Sequence, residues 1–295
     1  MEETKIKILH WGLWLFLGIM GCQLQAQANP MNDPVLVQNP LVTEAYGLLE
    51  SGDADGALEQ FQQALSENKA DLSALLGQAM IFADLQRHAE AFSSYDAIVK
   101  NYPRHAFAWN GRGLAAFNME DFDTALSSFE NATAEQPING FFFESLAWTQ
   151  MCRGEYPQAA ESAKKAILMY NRKNESSTYP LLIAYFSYLE SEDLKNARAT
   201  LLYAAQNKPA NIWPAPVIDY LTNSIDANEL ISFVTDTAQE TEAHTYIGLK
   251  LRSTQLEDQA KKHLEWVARN GDTRVFEYTL ARALNLQDSV ALLIP

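Results

Sequence analysis

Residues 125–132 read Ala-Leu-Ser-Ser-Phe-Glu-Asn-Ala, and the same frame recurs along the chain. Upstream stand Ala57-Leu58-x-x-Phe61-x-x-Ala64 and Ala91-Phe92-x-x-Tyr95; downstream stands Ala159-Ala160-x-x-Ala163-x-x-Ala166. The leading alanines are 34 residues apart three times in succession. Apolar residues at spacings of three and four mark one face of a helix, and a fixed period of this size marks a chain of stacked supersecondary units. Each unit is expected to be a hairpin of two antiparallel helices. Small residues let the paired backbones approach: Ala45, Ala79, Gly113 and Ala147 hold matching places on the first helices, and Gly113 is expected to face Ala125. Gly52-Asp53, Glu120-Asp121 and Gly154-Glu155 read as the turns between the helices, and Pro103 and Pro137 end second helices.

The third unit carries Trp109, Gly113, Phe122, Ala125, Phe129, Ala132 and Pro137, and on these residues the chain resembles the tetratricopeptide-repeat (TPR) family. Arg112 and Ala116 stand where that family usually has Leu and Tyr, which points to a locally altered packing face. The resemblance implies an all-α solenoid of antiparallel helix hairpins, wound as a right-handed superhelix, that binds polypeptides and catalyses nothing. Repeats 1–5 are assigned to residues 41–209, with the fifth in register through Ala197, Leu201 and Ala204. Residues 210–240 break the period and read as a helical insert, opening with an extended Trp213-Pro214-Ala215-Pro216 turn. Residues 241–286 read as a divergent hairpin followed by an amphipathic capping helix over Thr273–Leu286.

The first residues carry a different signal. Lys5 and Lys7 precede the apolar run Trp11–Met20, which is the order of an export signal and is too short to span a bilayer. Two ends compete. Ala26-Gln27-Ala28 suits plain cleavage after residue 28, whereas Ile19-Met20-Gly21-Cys22 resembles a lipobox, with the signal ending at residue 21 and Cys22 lipidated. Residues 29–40 are then a linker. Either end places the rest of the chain outside the cytoplasm, in a bacterial periplasm or anchored to the outer membrane through Cys22.

Composition narrows the partners. A formal net charge of −15 opposes binding to nucleic acid or to an anionic membrane surface. The excess is concentrated in residues 38–137, with 15 acidic against 5 basic side chains. The two cysteines, Cys22 and Cys152, provide no disulfide framework, and the five histidines lie at no metal-ligand spacing, although His244 and His263 can approach across one hairpin. No phosphate loop, zinc-hydrolase motif or nucleophile elbow occurs. The sequence therefore calls for no cofactor, no metal and no enzyme activity.

In the resembling family the first helix of each hairpin faces the partner, which places the candidate groove residues here. They are Tyr46 and Met80 early, then Phe107, Asn110, Leu114, Phe117 and Asn118, and then Phe141, Glu144, Trp148 and Met151. This face is aromatic, amide-bearing and acidic, and it lacks the Lys and Arg that would hold a peptide's terminal carboxylate. An apolar or basic segment suits it better. Replacing Trp148 and Phe117 with Ala is expected to weaken partner capture and leave helicity intact. In layout the chain is similar to bacterial envelope TPR lipoproteins of the new-lipoprotein-I type, which implies an adaptor that docks a segment of another envelope protein. An outer-membrane assembly or glycan-uptake component, reading sugar with aromatics such as Trp148 and Trp213, is the alternative.

Overall fold

The structure, a computed structural model, describes residues 39–210 and 212–291. The export signal, Cys22 and nearly all of the 29–40 linker lie outside the described residues. Those described hold fifteen helices and no strand. In order they are α1 (Pro40–Ser51), α2 (Ala54–Glu67), α3 (Leu72–Asp84), α4 (His88–Asn101), α5 (Ala106–Asn118), α6 (Phe122–Glu135), α7 (Gly140–Cys152) and α8 (Tyr156–Arg172). There follow α9 (Thr178–Glu190), α10 (Leu194–Asn207), α11 (Ala215–Leu221), α12 (Ala227–Ser232), α13 (Thr237–Ser253), α14 (Glu257–Asn270) and α15 (Phe276–Ala291).

Capping and turn chemistry explain the helix boundaries. Asp53, Asp121 and Asp193 each accept a hydrogen bond from the backbone three residues on, which satisfies an orphan N–H at the starts of α2, α6 and α10. The residue that reverses the chain between hairpin helices has a positive φ at Gly52, Gln86, Glu120 and Gly154, again 34 residues apart. Glycine adopts that conformation without cost, whereas Gln86 and Glu120 accept a penalty of about 1 kcal/mol.

The chain divides into two compact units, one up to Ile81 and one from Phe82. In the first, Phe61 is buried among Val42, Ala45, Ala57, Ala64 and Ala74, with the Tyr46 ring edge-on at 5.1 Å. Its ring lies so close to Gly77 that a Cβ there would stand 2.1 Å from it. The second unit repeats the device with Tyr95, whose ring would lie 2.4 Å from a Cβ at Gly111. In both cases an aromatic ring of one repeat's second helix fills the notch left by a glycine on the next repeat's first helix. Gly113 makes room in the same way within its own hairpin. A Cβ there would stand 2.7 Å from the Phe129 ring, so its nearest neighbour is Phe129 rather than the expected Ala125.

In the second unit Phe117, Phe129, Trp148, Leu182, Phe186, Ile218, Tyr246, Leu264, Leu280 and Leu284 share one large cluster. Arg112 bridges neighbouring hairpins there. It donates to Asp96 at 2.9 Å and to Ser128 at 2.6 Å, with its guanidinium 4.6 Å above the Phe92 ring. This explains the departure from the usual Leu: the position carries an ionic and cation–π bridge in place of an apolar contact. In the insert, the Trp213–Pro214 bond is cis and α11 begins at Ala215, so Pro216 sits in a helical first turn and not in extended chain. Lys250 on α13 reaches back to the Tyr220 carbonyl at 2.6 Å and so ties the insert to the last hairpin.

α15 packs on α13 and α14, as a cap would, and it also lies against α7. Leu280, Ala281 and Leu284 are buried in the shared core. The last helix therefore covers the final hairpin and also returns to the fourth.

Candidate functional site

The first helices α5 and α7 carry most of the residues singled out above. Phe117, Phe141 and Trp148 converge, and the side chain they converge on is Phe276, the first residue of α15. Ring centroids lie 5.1 Å from Phe117, 6.5 Å from Phe141 and 5.8 Å from Trp148, whose indole is parallel to the Phe276 ring within 6°. Phe117 and Trp148 are each 1% exposed and Met151 2%, whereas Phe141 keeps 38%. The expectation that Trp148 and Phe117 are open groove residues is thus corrected: α15 covers them, and their loss removes core packing. A sugar has no access to the face of Trp148 in this arrangement.

The other candidates separate by environment. Phe107 sits edge-on to Phe142 at 5.2 Å, and Leu114 packs against the core. Asn118 is exposed at the end of α5, whereas Asn110 is buried with its Oδ1 lacking a hydrogen-bond partner. In the first unit Tyr46 is half-buried and donates to the Ser73 carbonyl at 3.1 Å; Met80 is also half-buried.

Glu144 leads to a feature that the sequence does not announce. It is buried, accepts a hydrogen bond from Tyr170 at 2.7 Å, and feels the charge of Glu277 on α15. Glu277 is 3% exposed and accepts from the Tyr246 hydroxyl at 2.6 Å. Glu242 on α13 accepts from Tyr179 at 3.0 Å and from the Trp213 indole at 2.6 Å. Burial is the main cause that pushes the carboxyls of Glu144 and Glu277 up to about 7. Burial and then the charge of Glu277 raise Glu242 well above the usual range. Three carboxyls from α7, α13 and α15 therefore share the interior with neutral donors only. Nothing in the local sequence of Glu242 or Glu277 marks them, because the fold-back of α15 is what assembles the group.

Near its middle α15 is held by Arg282, which pairs with Glu120 in the α5–α6 turn. Thr273, just before the helix, donates to Gln86 at 2.6 Å. Gln86 and Glu120, two of the turn residues with a positive φ, thus anchor the C-terminal segment.

Elsewhere, His244 and His263 do meet, Nδ1 to Nδ1 at 3.0 Å, with His244 stacked on Trp266 at 4.0 Å. Burial depresses both imidazoles, His244 to about 4. No group of three metal-ligating side chains occurs among the described residues. Cys152 is buried and its thiol is pushed up by burial, the opposite of an activated nucleophile. No described helix is long and apolar enough to cross a membrane.

The fold and this site define a class: an all-α solenoid of helix hairpins whose first-helix faces carry aromatic side chains. Residues 42–106 and 110–176 match the tetratricopeptide repeat. These residues are tetratricopeptide repeats, a module of protein-interaction scaffolds. Among solved structures, it resembles a tetratricopeptide repeat protein from Parabacteroides merdae with a TM-score of 0.59 and 14% identity, over 82% of this chain and 96% of that one. A MamA structure from Desulfovibrio magneticus matches with a TM-score of 0.51 and 17% identity, over 56% of this chain and 92% of the other. Among curated proteins, a Drosophila melanogaster BBSome complex member, BBS4 homolog, is 26% identical over 174 residues, or 59% of this chain. The matched part spans about a third (34%) of that relative's length.

Proposed function

We propose that this chain is an exported adaptor that docks a segment of another cell-envelope protein on the α5 and α7 face. The observation that carries the reading is the seating of α15. The chain's own helix supports it: α15 seats an aromatic ring between Phe117, Phe141 and Trp148, and a cation against Glu120. An apolar segment with a basic residue reproduces both contacts, and the acidic balance of the early repeats opposes an acidic one. A role within a larger assembly is in keeping with the fruit-fly relative, which is a member of a complex. Export rests on the Lys5–Met20 pattern and the two competing processing sites, of which Cys22 would provide a lipid anchor.

The test is photo-crosslinking in living cells from position 118, at the exposed end of α5, with position 130 on α6 as the control. A polypeptide adduct is expected from position 118 alone, stronger in a Phe276→Ala background and weakened again when Glu120→Lys is added to that background. Equal adducts from both positions, or indifference to both substitutions, would overturn the reading.

A further inference from the structure

α15 is the element that decides whether the aromatic face is open, and its second residue is a buried carboxyl. Glu277 enters the interior one residue after Phe276, so the helix cannot seat its aromatic anchor without also burying that group. The titratable groups around it come from every packed element: Glu144 on α7, Tyr170 on α8, Tyr179 on α9, Glu242 and Tyr246 on α13, and Asp236 ahead of α13. α14 turns Leu264 and Val267 to the core, while its Lys261, Glu265 and Arg269 pair with one another outside. The cations nearest in sequence are engaged elsewhere, Arg274 with Asp272 and Arg282 with Glu120. The donors that reach the three carboxyls are tyrosine hydroxyls, indole N–H groups and Glu277's own backbone.

A buried carboxylate without a cation is costly, and a second and third beside it more so. Seated α15 is therefore compatible with protonated carboxyls and opposed by ionised ones. We infer that α15 is a pH-operated latch: with Glu277 protonated it stays on α7 and covers Phe117 and Trp148, and ionisation of the carboxyl cluster releases it and uncovers that face. That the uncovered face then takes a partner rests on the adaptor reading; the latch itself does not.

The released helix exposes Glu277 to water and returns it to the ordinary carboxyl range. Linkage for that one group raises the opening equilibrium about thirtyfold between about pH 5.5 and about pH 8.5, and Glu144 adds to this. Hydrogen exchange of the isolated full chain, corrected for the intrinsic pH dependence of amide exchange, reads the opening without any partner. Protection in residues 276–286 and 141–151 is expected to fall at least about tenfold over that range, with α10 as an internal reference. Glu277→Gln, an isostere of the protonated acid, is expected to cut the response to a few-fold, and Glu144→Gln added to it to cut it further, to what Glu242 contributes. A wild-type change shared equally by α10, or a helical double variant that keeps the full response, would overturn the latch. Either result would leave the cross-linking test of partner docking unaffected.

Discussion

The Phe276 ring stacks parallel on the Trp148 indole, with centroids 5.8 Å apart and planes within 6°. This contact joins the last helix to the fourth hairpin and fills the face that a polypeptide partner would otherwise meet. Trp148→Ala should therefore destabilise the protein by about 3–5 kcal/mol, the cost of a fully buried indole. Phe276→Ala should cost less, and the double-mutant cycle should show a coupling of about 1 kcal/mol in urea unfolding. Additive effects would mean that the two rings do not share one packing site.

Stability should depend on pH through the buried carboxyls. Glu144 and Glu277, pushed up to about 7, bind their protons more tightly folded than unfolded. Their contribution is complete below the ordinary carboxyl range and is lost as pH rises through about 7. For Glu144 the loss is about 3 kcal/mol. Calorimetry should find a lower melting temperature at about pH 8 than at about pH 5, and a shallower fall with Glu144→Gln. A melting temperature that rises over this interval would contradict the protonated interior.

The aromatic-on-glycine joint between repeats is also open to test. A Cβ at Gly111 would stand 2.4 Å from the Tyr95 ring, whereas one at Gly47 meets nothing within 4 Å. Gly111→Ala should cost about 1–3 kcal/mol by overpacking. Gly47→Ala, inside α1, should stabilise by about 0.5–1 kcal/mol through helix propensity. Equal effects of the two in chemical denaturation would show that the Tyr95 ring does not depend on the glycine notch.

The hairpins are legible in the sequence because their information is local. The alanines at 57, 91, 125 and 159 and the turns at Gly52 and Gly154 repeat in register with the helices they join. Gln86 does not read as a turn, because its left-handed conformation is imposed by its place between α3 and α4 and not by its residue type. The site is legible only in part. Phe117, Phe141 and Trp148 do lie on one face, but the period of a repeat encodes contacts between neighbours and carries no sign of a helix that returns from far along the chain. Arg282 meets Glu120 across 162 residues, and Glu242 and Glu277 acquire their meaning through the same fold-back. Arg112, an oddity in its motif, becomes intelligible once Asp96 and Ser128 stand beside it.

The central claim is that the α5 and α7 face accepts a polypeptide in the place of α15. The most direct measurement is fluorescence-anisotropy binding of a labelled peptide of residues 273–286 to the full chain and to its Phe276→Ala variant. The account predicts at least about tenfold tighter binding to the variant, since its own helix has lost its anchor, and no binding by a peptide carrying the same Phe276→Ala change. Equal affinity for both chains, or binding indifferent to the phenylalanine in the peptide, would contradict it.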